Sequence, residues 1–241
     1  MGQLSTRSIR TFVLRQGRLT EGQQRSLDLH WDTYGVEPQK RSIDDDQSNE
    51  SLQRIDFDAQ FDTQAPVWME IGFGNGAALA YMAERNQQIN FLGVEVHLPG
   101  VGHALGELAA NDLKNVRVVR YDVLDLMEHF MLPGSIDRLL VYFPDPWHKT
   151  RHHKRRLINA TFLDLASVLL RGDGLIHFAS DWVPYARQVQ SVVAAHPRFE
   201  CLSDAERLSQ ITDLRPKTHF ERRGDKLGHQ VTDLVIRKLD G

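Results

Sequence analysis

The chain has 241 residues, 41% hydrophobic and 25% charged, with a formal net charge of -3. This is globular composition at a length for one large domain, or one domain with an appendage, and it excludes collagen-like and disulfide-rich classes. No apolar run reaches the roughly 20 residues that cross a bilayer. The opening "MGQLSTRSIRTF" lacks the apolar stretch of a secretory signal, and the single cysteine, Cys201, cannot form an internal disulfide. These features predict a cytoplasmic protein with no membrane partner, in which Cys201 is a small buried apolar residue.

In chain order, residues 1–64 show no sustained periodicity of either kind. Arg7, Arg10, Arg15, Arg18 and Arg25 face only Glu21, and the polar "GVEPQKRSIDDDQSNESLQR" comes next. This predicts a basic arm and polar linker over 1–64, ahead of a main domain over 65–241. From Pro66 the pattern changes. "VWMEI", "FLGVEV", "VRVVRYDV", "DRLLVYF" and "GLIHFAS" read as buried strands. Helical segments separate them, including "GAALAYMAERN", "VGHALGELAANDL" and "NATFLDLASVLLR". Strands alternating with helices predict an α/β, Rossmann-like doubly wound sheet. "RGDG" at 171–174 reads as a helix cap and turn. "FECLSD" and "QVTDLVIRKL" read as an antiparallel pair closing one edge.

"EIGFGNG" comes after the first strand and opens a helix, with Gly72, Gly74 and Gly76 permitting a tight turn and close approach of a ligand. A glycine turn alone is weak, since a tight turn without a ligand has the same residues. A row of acids is more specific. They stand at four successive strand ends: Glu70, Glu95, Asp122 and Asp145. At the carboxyl ends of a parallel sheet they would line a ligand crevice. Glu95 suits a ribose diol, Asp122 an adenine amino group and Glu70 an ammonium group. A ligand with those groups and no pyrophosphate is S-adenosylmethionine, whereas a dinucleotide would need the helix N-terminus for its phosphates.

"FPDPW" sets Asp145 between two prolines that stiffen the loop, and Trp147 could offer an aromatic face to a base. From His148 to Arg156 there are five cations and no acid: Lys149, Arg151, Lys154, Arg155 and Arg156. A solvated helix face is the ordinary reading of a charge run, but uncompensated repulsion favours a polyanion partner. His148, His152 and His153 lack the glutamate of a zinc helix and sit among cations, so no metal is expected.

Six segments resemble the bacterial-type tRNA (guanine-N7)-methyltransferases: "IRTFVLRQGRLT", "EIGFGNG", "FLGVEVHLPGVG", "VYFPDPWHKTRHHKRR", "SDWVPYA" and "THFERRGDKLGHQVTDL". The resemblance implies a class I methyltransferase fold, seven-stranded with an antiparallel edge strand, and a guanine of the tRNA variable loop as substrate. It implies S-adenosylmethionine contacts at Glu70, Glu95, Asp122 and Asp145, with Asp145 also catalytic. It further implies substrate contacts at Lys149, Asp181, Thr218 and Glu221, and RNA contacts over Arg151 to Arg156. His219 stands where the family motif has lysine, so that contact is not carried over. Three rival readings are an amino-group methyltransferase with a similar proline-bracketed loop, a non-catalytic RNA-binding protein on the same fold and, third, a dehydrogenase, for which no hydride-transfer base is evident. A monomer is the simpler expectation, with a homodimer left open.

Overall fold

A computed structural model describes residues 11–12, 17–38, 40–41, 51–52, 54–211 and 231–239. Helix α1 (Glu21–Tyr34) opens on a reciprocal cap. Thr20 Oγ1 accepts from the Gln23 N–H at 3.2 Å, and Gln23 Oε1 accepts from the Thr20 N–H at 2.9 Å. A small antiparallel pair, β1 (Lys40–Arg41) and β2 (Ser51–Leu52), and the short α2 (Phe57–Gln60) come next.

The main sheet then alternates with helices. Its first half is β3 (Val67–Ile71), α3 (Ala77–Arg85), β4 (Asn90–Val94), α4 (Leu98–Ala110), β5 (Val116–Val119) and α5 (Val123–His129). Its second half begins with β6 (Ile136–Tyr142), a 3-10 turn (Thr150–Arg155), α6 (Ala160–Leu169), β7 (Leu170–Ser180) and α7 (Val183–Ala194). It closes with β8 (Phe199–Cys201), α8 (Asp204–Ile211) and β9 (Thr232–Lys238).

The strand order is β5-β4-β3-β6-β7-β9-β8. Strands β3 to β7 pair in parallel, and β9 is antiparallel to both β7 and β8. The expected α/β class and seven-stranded sheet are therefore present, with the antiparallel strand one place in from the edge. The chain winds one way from β3 to β5, then returns to lay β6 on the other side of β3. Such a reversal opens a crevice at the carboxyl ends of β3 and β6.

Alternation along the strands builds two cores. Met69, Leu92, Leu139, Val141 and Phe178 bury on one face. Phe91, Val116, Val118 and Leu140 bury on the other, with Leu79 and Leu105 of α3 and α4. Within 17–64, where an arm and linker were expected, α1 and several later residues pack against the main sheet and its helices. A Cβ on Gly102 of α4 would lie 2.7 Å from the Gln23 carbonyl oxygen, so α1 crosses α4 at a distance only glycine permits. Val36 N–H donates to the Val118 carbonyl at 2.8 Å, and Ile55, Phe57 and Phe61 enter the first core.

Two local expectations differ from the structure. Leu170 passes directly from α6 into β7, and residues 171–174 form an irregular bulge against β6 with Asp173 at φ 57°, rather than a cap and turn. Cys201 is exposed, because β8 is an edge strand that turns only Phe199 inward. Among the described residues no helix is long and apolar enough to cross a membrane.

Candidate active site

The glycine turn joins β3 to α3. Gly72, Gly74 and Gly76 have φ of 72°, 62° and 80°, where a side chain would be strained. Their surroundings separate their roles. A Cβ on Gly72 or Gly74 would meet nothing within 4 Å, so both present bare backbone to open space. A Cβ on Gly76 would lie 2.5 Å from Ala104 Cβ, so Gly76 is required by the packing of α4.

Glu95, directly after β4, holds the turn in shape. Its Oε2 accepts from the Gly74 N–H at 3.0 Å, and its Oε1 accepts from the N–H groups of Val96 and His97 at 2.6 and 2.9 Å. One carboxylate thus ties the glycine turn to the start of α4. Sequence reasoning assigned Glu95 a ribose and missed these backbone bonds.

A cleft of about 580 Å³ opens beside the turn, lined by Gly72, Glu95, Tyr121, Tyr142 and Asp145 among others. Its volume lies within the roughly 300–1,000 Å³ of small-ligand sites. Glu70, at the end of β3, is 3% exposed. Asp122 lies beyond the end of β5 and caps α5, its Oδ1 accepting from the Leu124 N–H at 2.9 Å. Its neighbours Tyr121 and Val123 line the cleft, which puts Asp122 beside it. Thr11 and Phe12 of the N-terminal arm also line it. The only hint of that in the sequence was the arm's segment among those carrying the resemblance.

Under one wall lies a buried polar chain the sequence did not suggest. Tyr142 Oη is 3.0 Å from His177 Nδ1, and His177 Nε2 is 2.8 Å from Asp233 Oδ1. It joins β6, β7 and β9 and fixes the Tyr142 ring that lines the cleft.

The Phe143–Trp147 turn carries Asp145 to the cleft mouth. Phe143 and Trp147, at its two ends, have φ of 49° and 45°, each costing about 1–3 kcal/mol. Prolines 144 and 146 have no N–H to give, so the turn is held through its other groups. Phe143 N–H donates to the Ala179 carbonyl at 2.8 Å, and Trp147 Nε1 donates to the Thr11 carbonyl at 3.2 Å. Asp145 itself is exposed. Asp181 comes after β7 just as the turn comes after β6, which puts both carboxylates at the same end of neighbouring strands.

The basic run folds as the 3-10 turn and divides by exposure. Lys149, Arg151 and Lys154 are exposed. Arg155 lies over the Trp147 ring at 4.9 Å, so a cation is set against that ring. Arg156 departs from the expected RNA contact. It is 2% exposed, its Nε donates to the Pro146 carbonyl at 2.8 Å, and its Nη1 donates to Gln188 Oε1 at 2.5 Å. His148 and His152 pack edge-on against different tryptophans, Trp182 and Trp147. Desolvation and the surrounding charges of Arg151, Arg155, Lys149 and Lys154 hold His152 below its ordinary pKa. Among the described residues no group of three His, Cys, Asp or Glu side chains could hold a metal. Thr218 and Glu221 lie outside the described residues.

The sequence family described as "Putative methyltransferase" matches residues 64–234. A "tRNA (guanine-N(7)-)-methyltransferase" of Pseudomonas aeruginosa is 44% identical over 234 residues, covering 97% of this chain and 91% of its own length. The chain belongs to the tRNA (guanine-N(7)-)-methyltransferase family. A member from Neisseria meningitidis is 43% identical over 234 residues, covering 97% of this chain and 92% of that protein. Among solved structures, the 16S rRNA methyltransferase KamB superposes with a TM-score of 0.53 at 12% identity, covering 80% of this chain and 97% of its own. TrmN from Thermus thermophilus gives 0.51 at 17%, covering 73% of this chain and 44% of its own. At such identities these two neighbours share the fold alone.

Proposed function

We propose that this protein transfers a methyl group from S-adenosylmethionine to N7 of a guanine in the variable loop of tRNA. The observation that carries the proposal is one juxtaposition, on a chain of this family. A bare glycine turn and the Asp145 turn face the same cleft, and the exposed Lys149, Arg151 and Lys154 lie directly beyond it in the chain.

When bound, S-adenosylmethionine supplies a methyl group on a positively charged sulfur, and guanine N7, with a lone pair and no proton, takes it without a base. The residues present fit such a ligand. Gly72 and Gly74 leave room where any Cβ would intrude, and Glu95 holds the turn that makes the room. Glu70, buried behind the cleft-lining Ile71 and Gly72 in the chain, is assigned an ammonium group. The work left to the protein is alignment and charge stabilisation. Asp145 and Asp181 are assigned the guanine: as carboxylates they accept from its N1–H and N2–H₂ edge and favour a ring that becomes positive. Thr218 and Glu221 are assigned to assist. Lys149, Arg151 and Lys154 are assigned the phosphates, with Arg18 and Arg25 of the N-terminal region as a second contact.

The test is nucleoside mass spectrometry of tRNA incubated with protein and cofactor. The proposal expects 7-methylguanosine and borohydride–aniline cleavage at its position. A methylated amine would instead support the amino-group reading.

A further inference from the structure

We propose that Arg156 is a positioning residue for the Asp145 turn and not a ligand of RNA phosphate. The inference rests on the proposed role of Asp145, and it reassigns the last cation of the basic run.

A phosphate ligand must reach solvent, and Arg156 is 2% exposed. Its guanidinium makes its contacts inside the protein. Nε donates to the Pro146 carbonyl at 2.8 Å, and Nη1 donates to Gln188 Oε1 of α7 at 2.5 Å. The plane also lies over the Tyr185 ring at 5.0 Å. Tyr185 is itself fixed, its hydroxyl accepting from the Ile158 N–H at 3.1 Å, and burial pushes that hydroxyl up to about 12, so it stays neutral under the cation.

The turn needs such a clamp. Pro144 and Pro146 contribute no N–H, and left-handed residues stand at both ends. The Pro146 carbonyl belongs to the Pro146–Trp147 peptide, one peptide beyond the bond that joins Asp145 to Pro146. Fixing it with a charged donor on a rigid fork anchors the proline ring that comes directly after Asp145, and with it the half of the turn on which the carboxylate stands. The 3-10 turn, Thr150–Arg155, stands between the two partners in the chain, and at its end Arg156 meets the Pro146 carbonyl. The cations at its exposed positions face outward while the one that ends it is drawn in.

The two roles predict opposite responses. Lysine keeps the charge a phosphate needs but loses the planar fork the clamp needs. Arg156→Lys, Arg156→Gln, Gln188→Leu and Lys154→Ala should be compared with wild type in single-turnover methylation at saturating tRNA and cofactor, and in tRNA binding across a salt series. Arg156→Lys and Gln188→Leu should each slow the methyl step by between about tenfold and 100-fold, the range expected when a reacting group shifts by about 1 Å. The tRNA affinity and salt slope of both, and the slope of Arg156→Gln, should equal wild type. Lys154→Ala should instead flatten the slope, by about 0.7–0.9.

A wild-type methyl step in both Arg156→Lys and Gln188→Leu, or a flattened slope in Arg156→Gln, overturns the assignment. Gln188→Leu carries the test if the Arg156 variants do not fold. Should the wild-type protein methylate no tRNA, the proposed function fails by itself. The clamp is then judged by crystal structures: a displaced Asp145 turn in Gln188→Leu supports it, and an unmoved turn overturns it.

Discussion

Replacing Glu95 by glutamine changes one oxygen to an amide group and leaves size and shape alone. The carboxylate serves three backbone donors, with Oε1 taking Val96 and His97 and Oε2 taking Gly74. Glutamine can satisfy one side of this arrangement. With its oxygen on the paired donors of Val96 and His97, its amide N–H groups confront the Gly74 N–H, donor against donor. A hydrogen bond to a charged acceptor contributes about 1.5–3 kcal/mol. Glu95 is half-buried, so the loss at Gly74 belongs at the lower end of that range, with an added cost for the opposed donors. Because Gly72 of the same turn lines the cleft, the loss falls on the cofactor. At about 1.4 kcal/mol per factor of ten, its Kd should rise by roughly 10–100-fold. Titration calorimetry with S-adenosylmethionine measures this, and urea unfolding of the cofactor-free protein measures the share already lost without ligand. Binding within about twofold of wild type would refute the reasoning. Weakened binding with an unchanged urea midpoint would refute it in part, because Glu95 would then act on the ligand directly and not through the turn.

Three other outcomes rest on the same geometry. Gly100→Ala places a Cβ 2.1 Å from the Gly74 carbonyl oxygen, a backbone atom that cannot swing aside. It should cost about 1–3 kcal/mol in urea unfolding and weaken the cofactor with it, whereas an unchanged midpoint would show that α4 is not packed on the turn. Asp145→Asn and Asp145→Ala should each slow single-turnover methylation about 100-fold or more, and near-wild-type rates in both would remove Asp145 from the mechanism. The third outcome concerns His152, whose folded pKa is lowered from about 6.5. The unfolded chain therefore binds the proton more readily, so His152 lowers stability as pH falls through about 6.5 toward its folded value. Bound phosphates offset the cations that depress it, so RNA binding takes up a proton and tightens as pH drops from about 7. The same profile in His152→Gln would assign that pH dependence elsewhere.

The features legible in the sequence were local in origin. Apolar runs of strand length alternating with helical segments dictate a parallel sheet, because each run must be covered on both faces. Gly72 and Gly74 announce bare backbone because only glycine leaves it bare. Pro144 and Pro146 announce a stiff turn because the ring fixes φ. Glu95 and Asp145 come after strand ends, and both line the cleft there.

Two signals were present and unread. Thr20 and Gln23 form a capping box that marks the start of α1, and Gly102 and Gly106, four residues apart on one face of α4, mark where α1 crosses. Both lie in residue types that also suit loops, so a polar stretch without apolar periodicity concealed a packed helix.

Tertiary structure alone decided how residues of one kind divide their work. Gly76 differs from Gly72 and Gly74 by meeting Ala104, and Asp122 differs from Glu95 by capping α5. Arg156 differs from Lys154 because Pro146, Tyr185 and Gln188 close around it. A sequence specifies how many cations come after Asp145 and how closely they are spaced. Which of them reaches solvent depends on where α7 lays Tyr185 and Gln188, and that is fixed by the sheet packing and not by the run itself.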